Sequence, residues 1–140
     1  MNKQNKNICI HVCDDNPVVI EKAIKITKDL LNDERLAAEI VAYEDGNQFT
    51  ERYKERKDEL LILDIDMPGK SGLDILKEFE IHCKNNRVIL LTAYDNLALQ
   101  SLMYGPFQIV RKDLMEIDLE KAIRRFLRIR NDQNAQLKIK

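Results

Sequence analysis

The fold of this chain is decided by residues 60–72, Leu60-Leu-Ile-Leu-Asp64-Ile-Asp66-Met-Pro68-Gly-Lys-Ser-Gly72. Four consecutive apolar residues end on an aspartate, and the chain then turns through a proline and two glycines. A short run of Leu and Ile bounded by turn residues predicts a strand buried on both faces, which is typical of parallel sheets. Because such sheets bind ligands beyond the carboxyl ends of their strands, Asp64 is predicted to lie at a binding site.

Composition indicates one globular domain. The chain has 140 residues and a formal net charge of −1, so no general attraction to nucleic acid or to an anionic membrane is expected. Its three cysteines form no CxxC pair, which favours reduced thiols in the core over a disulfide framework. No apolar run approaches the roughly 20 residues of a membrane span. No signal peptide is visible either, so a cytoplasmic domain is expected.

Short β-rich runs alternate with segments of helical spacing along the chain. Strands are predicted over residues 7–13, 36–43, 60–64, 87–92 and 107–111. Helices are predicted over residues 17–32, 46–53, 72–83, 94–103 and 113–130. This alternation predicts a doubly wound α/β fold, with a five-stranded parallel sheet of order 2-1-3-4-5 and five helices.

The predicted domain covers residues 7–130, with a polar lead-in over 1–6 and a polar tail or start of a linker over 131–140. Asn16 before Pro17 and Ser71 before Gly72 are predicted helix N-caps.

Polar residues mark four of the predicted strand ends. Asp14 and Asp15 follow the first strand, Asp64 ends the third, Thr92 ends the fourth and Lys112 follows the fifth. Carboxylates this close repel one another, and a hard divalent cation with oxygen ligands relieves that repulsion. Asp64 is then the natural nucleophile for a displacement at phosphorus, while Lys112 and the Thr92 hydroxyl can contact phosphoryl oxygens. His11, inside the first strand, is predicted to be packed rather than catalytic.

These motifs, in this order and spacing, resemble the receiver domains of two-component response regulators. The resemblance covers about residues 7–130 and rests on four segments: Val12-Cys-Asp14-Asp15-Asn-Pro17, Leu63-Asp64-Ile-Asp-Met-Pro68-Gly-Lys-Ser-Gly72, Leu91-Thr92-Ala93 and Val110-Arg-Lys112. It implies a flavodoxin-like receiver fold and a signalling phosphoacceptor rather than an enzyme. The phosphoryl group would come from a partner sensor histidine kinase, and the resemblance leaves a homodimer on phosphorylation open.

The resemblance also implies the metal ligands. Asp64 would be the phosphoacceptor, and Mg²⁺ or Mn²⁺ would bind to Asp64, to Asp15 directly and to Asp14 largely through water. The backbone carbonyl of Asp66 would complete the metal site. The Asp66 side chain is left with two interpretations: it is inert, or it tunes hydrolysis of the aspartyl phosphate.

The switch residues follow the family pattern only in part. Thr92 would be the switch hydroxyl and Lys112 the phosphate-binding lysine. Phosphorylation would shift an equilibrium between two conformations of the face formed by the fourth predicted helix, the fifth strand and the fifth predicted helix. Many receivers carry Lys-Pro at this point, whereas this chain has Lys112-Asp113.

The position of the usual switch aromatic is Ile109, so Phe107 or Tyr104 is a candidate substitute. The segment Gly105-Pro-Phe-Gln-Ile-Val-Arg-Lys112 resembles receivers joined to LytTR-type DNA-binding domains. That resemblance implies contact with DNA only through an output domain outside this sequence, and no contact with a membrane.

Two other functions are weighed against this interpretation. A haloacid-dehalogenase-type phosphatase also has a strand ending in Asp-x-Asp, which Asp64 and Asp66 reproduce. Pro68, however, stands where that family prefers Thr or Val. A pseudo-receiver, an interaction module without phosphorylation, is the second alternative, and the complete set of five site residues argues against it.

Overall fold

Five parallel strands form one sheet in the computed structural model, which describes residues 8–78, 87–93 and 108–139. The strands are β1 (Ile8–Cys13), β2 (Ala38–Tyr43), β3 (Glu59–Asp64), β4 (Val88–Thr92) and β5 (Gln108–Arg111). Their order in the sheet is β2-β1-β3-β4-β5. The predicted doubly wound α/β class and strand order are confirmed. The strand order reverses between β1 and β3, and such switch points are where these folds bind ligands.

Helices connect the strands and begin at the predicted caps. The described helices are α1 (Pro17–Asp33), α2 (Gly46–Arg52), α3 (Gly72–Glu78) and α4 (Met115–Ile139), the last preceded by a 3-10 turn over Lys112–Leu114. The Asn16 side chain accepts a hydrogen bond of 2.9 Å from the amide of Val18. Ser71 and Asp74 accept hydrogen bonds from each other's backbone amides, at 3.1 and 3.0 Å, which is a capping box.

Some predictions fall outside the described residues. They are the fourth predicted helix over 94–103, the end of the third predicted helix with His82 and Cys83, and the aromatic residues Tyr104 and Phe107.

The last helix corrects the prediction at both ends. The predicted helix ran from Asp113 to about Arg130, whereas Lys112–Leu114 form a 3-10 turn and the α-helix continues to Ile139. Residues 131–139 contain neither glycine nor proline, so nothing in that segment interrupts the backbone hydrogen bonds of the helix. Polarity suggested an end there, but polar side chains do not terminate a helix.

Each face of the sheet carries its own apolar core. All six residues of β1 and all six of β3 are buried, because helices cover both sides of these central strands. One core joins alternate residues of the strands to α1 and α4, including Ile10, Ile62, Leu30, Leu119 and Ile123. The other core joins the intervening residues to α2 and α3, including Leu61, Leu63, Tyr43, Phe49 and Ile75. Because both faces are packed, the strand ends are held in fixed positions.

A buried polar network lies within the second core. His11 is hydrogen-bonded to the Tyr43 hydroxyl at 2.8 Å, and its Nε2 lies 3.3 Å from a carboxylate oxygen of Glu59. Glu59 also accepts hydrogen bonds from the Tyr53 hydroxyl and from the Arg56 amide. Burial raises the pKa of Glu59, but these hydrogen bonds together hold it below its ordinary value. The prediction that His11 is packed is confirmed, since only 2% of its surface is exposed.

Candidate functional site

Three carboxylates and one ammonium group meet at the carboxyl edge of the sheet. Asp14 and Asp15 directly follow β1, Asp64 is the last residue of β3, and Lys112 follows β5. One oxygen of each of Asp14, Asp15 and Asp64 lies within 4.8 Å of the others. Asp14 and Asp64 are buried, and Asp15 is exposed. The structure therefore brings together four residues that are up to about a hundred positions apart in sequence.

Lys112 bridges the two buried carboxylates. Its Nζ lies 2.9 Å from Asp14 Oδ2 and 3.1 Å from Asp64 Oδ2. Burial lowers the pKa of Lys112, but the two carboxylates outweigh burial, so the pKa lies above its ordinary value. The side chain consequently stays charged and balances part of the negative charge of the site.

The negative charge on Asp64 nevertheless remains unfavourable in these surroundings. Burial, reinforced by the neighbouring charge of Asp14, raises the pKa of Asp64 from 3.8 to about 6, although Lys112 and the Asp66 amide act in the opposite direction. The Asp66 amide donates a hydrogen bond of 3.1 Å to Asp64 Oδ1. At neutral pH the carboxylate is still mostly ionised, and it is therefore able to act as a nucleophile.

The donor atoms of this cluster suit a hard divalent cation. Asp14 Oδ1 accepts a hydrogen bond of 2.9 Å from the Asn16 amide, so one oxygen of each buried carboxylate is engaged by the backbone. Their second oxygens, Asp14 Oδ2 and Asp64 Oδ2, are fully buried and receive no well-directed hydrogen bond within the described residues. Buried carboxylate oxygens of this kind, with the exposed Asp15 beside them, fit Mg²⁺.

The loop that follows Asp64 is fixed tightly against the strands. The Ile65 amide donates to the carbonyl of Leu91, and the Gly72 amide donates to the carbonyl of Ile65, both at 2.9 Å. A Cβ atom on Gly72 would lie only 2.2 Å from the Asp64 carbonyl oxygen, so this close approach requires glycine. The sequence marked Gly72 only as a turn residue, and nothing in the pattern indicated the contact.

The other predicted site residues lie around this cluster. Thr92 is the buried last residue of β4, one position beyond Leu91, which pairs with Asp64 in the strand register. The side chain of Asp66 is exposed, and Ile109 on β5 is half-buried against the second core.

Asp113, which stands where many receivers have proline, has a local partner. Asp113 accepts two hydrogen bonds from the Arg111 guanidinium, at 3.1 and 2.8 Å, on the exposed side of this loop. Sequence reasoning did not foresee this pair, although opposite charges two positions apart at a strand end are a signal for it.

Comparison with known sequences identifies the family. A model of the response regulator receiver domain matches residues 10–124, a range that contains all four strand ends of the site. The chain belongs to the response regulator receiver domain family. Receivers are signalling domains, and the match disfavours the haloacid-dehalogenase interpretation of Asp64 and Asp66.

Two curated proteins of Bacillus subtilis are among the relatives of this receiver. The receiver is 32% identical over 81 residues to sporulation initiation phosphotransferase F of Bacillus subtilis, covering 56% of this chain and 64% of that protein. It is 23% identical over 117 residues to the sensory transduction protein LytT of Bacillus subtilis, covering 74% of this chain and 48% of LytT. The matches thus span less than two thirds of the length of these relatives.

Solved structures agree with this assignment. The receiver superposes on the response regulator TrrA of Thermotoga maritima, whose structure was determined in complex with Mg²⁺ and BeF, with a TM-score of 0.66 and 30% identity. The superposition covers 84% of this chain and 97% of TrrA. Within the part of the chain that the structure describes, no helix is long and apolar enough to cross a membrane.

Proposed function

We propose that this receiver accepts a phosphoryl group on Asp64 from a phosphohistidine of a sensor histidine kinase, in a reaction that depends on Mg²⁺. The observation that carries the proposal is the buried, electrostatically strained Asp64, with Asp14, Asp15 and Lys112 around it. The family match supports it, because receivers are the phosphoacceptor components of two-component systems.

The chemistry is a displacement at phosphorus. A carboxylate oxygen of Asp64 attacks the phosphorus atom, forming a new O–P bond. The N–P bond of the donor breaks, and its electron pair remains on the imidazole nitrogen. When bound, Mg²⁺ would offset the charge of the carboxylates and of the phosphoryl oxygens.

Each neighbouring residue has a role in this proposal. Asp15 would bind the cation directly, Asp14 largely through water, and Asp64 and the backbone carbonyl of Asp66 would complete the protein ligands. Lys112 would exchange its contact with Asp64 for a phosphoryl oxygen, since it already lies 3.1 Å from that carboxylate. The Lys112 ammonium group therefore stays paired with a negatively charged oxygen before and after the phosphoryl transfer.

The proposed output is a switch that acts through Thr92. Its hydroxyl would turn toward the new phosphoryl group and shift the face that includes β5 and α4, with Ile109 in the place of the usual aromatic and Phe107 as a candidate substitute. The output would act on transcription through a DNA-binding domain outside this sequence, as the resemblance of residues 105–112 to LytTR-type receivers implies, and the similarity to the sensory transduction protein LytT fits a signalling role. A homodimer on phosphorylation, the cytoplasmic location and the domain limits at residues 7 and 130 remain predictions.

Intact-mass spectrometry tests the proposal. Incubation with acetyl phosphate and Mg²⁺ should add the mass of one phosphoryl group, and EDTA or the variant Asp64→Asn should abolish the addition. Asp29→Asn is the matched control, because it makes the same change on an exposed residue of α1 and should retain full phosphorylation. Unchanged phosphorylation in Asp64→Asn would refute the assignment of Asp64. A wild-type protein that takes up no phosphoryl group would favour the pseudo-receiver.

A further inference from the structure

The first residue of α2 lies in direct contact with the loop that carries Asp66. Gly46 is buried, and a Cβ atom added to it would lie 2.0 Å from the carbonyl oxygen of Lys70, 2.8 Å from its carbonyl carbon and 2.9 Å from its Cβ. Non-bonded heavy atoms prefer separations of about 3.5 Å or more, so no other residue fits between α2 and this loop as they stand. The two residues are in contact only through the tertiary fold.

We propose that Gly46 is a positioning residue for the metal site, because its contact with Lys70 fixes the loop over residues 65–71 and with it the carbonyl of Asp66. This inference rests on the proposed function, in which that carbonyl is a ligand of Mg²⁺. Mg²⁺ requires a near-ideal octahedron with oxygen distances of about 2.0–2.1 Å, so it tolerates little displacement of a ligand.

The loop, and not the helix, would move if Gly46 carried a side chain. α2 is held by Phe49, which is fully buried and whose ring contacts those of Tyr43 and Tyr53 at centroid distances of 4.9 and 4.7 Å. Its N-terminus is capped by Asp45, which accepts a hydrogen bond of 2.7 Å from the Gln48 amide. The helix therefore has little freedom to retreat.

Within the loop, only the exposed Pro68 and Gly69 lie between fixed points on both sides. The Ile65 amide donates to the carbonyl of Leu91, Met67 is buried in the second core, and Gly72 packs on Asp64. A methyl group on residue 46 would need the Lys70 carbonyl to withdraw by roughly 1 Å. Since the loop ends are fixed, part of that shift would reach the peptide of Asp66.

The variant Gly46→Ala tests this inference through its magnesium requirement. The Mg²⁺ dissociation constant of the unphosphorylated protein, measured by isothermal titration calorimetry, should rise by about tenfold or more, as expected when a metal ligand is misplaced. The Mg²⁺ concentration that gives half-maximal phosphorylation by acetyl phosphate should rise with it. Phe49→Leu is the control for a general loss of stability, because it weakens the packing of the same helix while leaving Gly46 and Lys70 unchanged. That variant should be less stable than the wild type and keep the wild-type magnesium requirement.

A second pair of variants decides the matter if Gly46→Ala does not fold. Lys70→Gly and Lys70→Ala remove the same charge, but only Lys70→Gly removes the Cβ that lies near Gly46. Lys70→Gly should therefore raise the magnesium requirement several-fold above that of Lys70→Ala.

The outcomes separate this inference from the proposed function. If Gly46→Ala folds and has the wild-type magnesium requirement, the inference is overturned. If Gly46→Ala does not fold, the inference is overturned when Lys70→Gly and Lys70→Ala have the same magnesium requirement. Neither result affects the proposed function, provided that the wild-type protein is phosphorylated in the presence of Mg²⁺. Absence of phosphorylation in the wild type overturns the proposed function itself, and this inference with it.

Discussion

At Asp64 the fold holds a carboxylate in surroundings that disfavour its charge. The side chain is buried beside Asp14, and the single ammonium of Lys112 is shared between the two acids at 2.9 and 3.1 Å. A buried acid of this kind is tolerated at a functional site because a bound cation removes the repulsion. Without a cation, the ionised Asp64 lowers the stability of the fold.

Replacing Asp64 should therefore stabilise the metal-free protein. The pKa of Asp64 is raised from 3.8 to about 6, so the folded state binds the proton more tightly than the unfolded state does, and stability falls as pH rises through this range. In urea unfolding with EDTA at pH 7, Asp64→Asn should gain about 1–3 kcal/mol over the wild type. At pH 4 the gain should be nearly absent, because the wild-type side chain is then protonated.

The exposed residue Asp29 is again the control for this measurement. Asp29→Asn loses only a surface pair with Lys25 and should show no gain at pH 7. An Asp64→Asn variant that is less stable than the wild type at pH 7 would contradict the electrostatic account.

The sequence predicts which residues reach the site but not how they touch. Asp14, Asp64 and Lys112 could be placed because each directly follows or ends a buried strand, and parallel strands end at one edge. The contact between Gly46 and Lys70 could not, since it depends on the distance between two backbones that no local pattern encodes. For the same reason, the sequence does not predict which oxygen of each buried carboxylate accepts the hydrogen bond from a backbone amide.

At the level of elements, the second core is organised around one buried acid at the start of β3. Glu59 accepts hydrogen bonds from Tyr53 and Arg56 and lies beside His11, so one carboxylate joins β1, β3 and the segment after α2. The sequence showed His11 as a packed residue but gave no sign of its partner, because residues 11 and 59 become neighbours only through the pairing of β1 with β3.

Substitution of Glu59 should destabilise the fold in a pH-dependent way. In Glu59→Gln, the NH₂ group of the new amide would face hydrogen-bond donors that the carboxylate now accepts from. The free energy of unfolding is therefore expected to fall by about 1–3 kcal/mol at pH 7. Because the pKa of Glu59 is below its ordinary value, its carboxylate stabilises the fold above the unfolded-state pKa and ceases to do so as pH falls through the folded-state pKa. Urea unfolding at pH 7 and pH 4 should show the difference between variant and wild type narrowing at the lower pH.

Glu39→Gln provides the comparison for that experiment. Glu39 is exposed and pairs with the side chain of Arg56 at 2.9 Å, so its substitution should cost less than about 0.5 kcal/mol. Equal losses in Glu39→Gln and Glu59→Gln would show that the buried network contributes no more than a surface ion pair.

At the scale of the whole molecule, the two cores hold the described strands and helices together, and residues 131–133 of α4 lie outside them. Residues 131–133 are exposed, whereas Phe126 and Leu127 are buried in the first core. The strands were predictable because burial on both faces gives an unmistakable apolar run. The end of the last helix was not, since a polar helix and a polar tail have similar composition.

Truncation should separate these two parts of α4. A chain that stops after Arg130 should keep its free energy of unfolding within about 0.5 kcal/mol of the full chain, because it retains both cores and because residues 131–133 are exposed. A chain that stops after Ile123 loses Phe126 and Leu127 and should be destabilised by several kcal/mol. Urea unfolding followed by circular dichroism measures both, and a large loss on stopping after Arg130 would show that residues 131–140 belong to the folded domain.

α4 also connects the two opposite edges of the sheet. It begins beside Lys112 at the carboxyl edge, and about two thirds of the way along it Arg130 donates a hydrogen bond of 2.6 Å to Asp58, immediately before β3 at the amino edge. A helix of 25 residues is about 37 Å long. The same helix therefore joins the loop that carries Lys112, which contacts Asp64, to the residue that precedes β3. Both ends of the strand that carries the site are thus tied together outside the sheet.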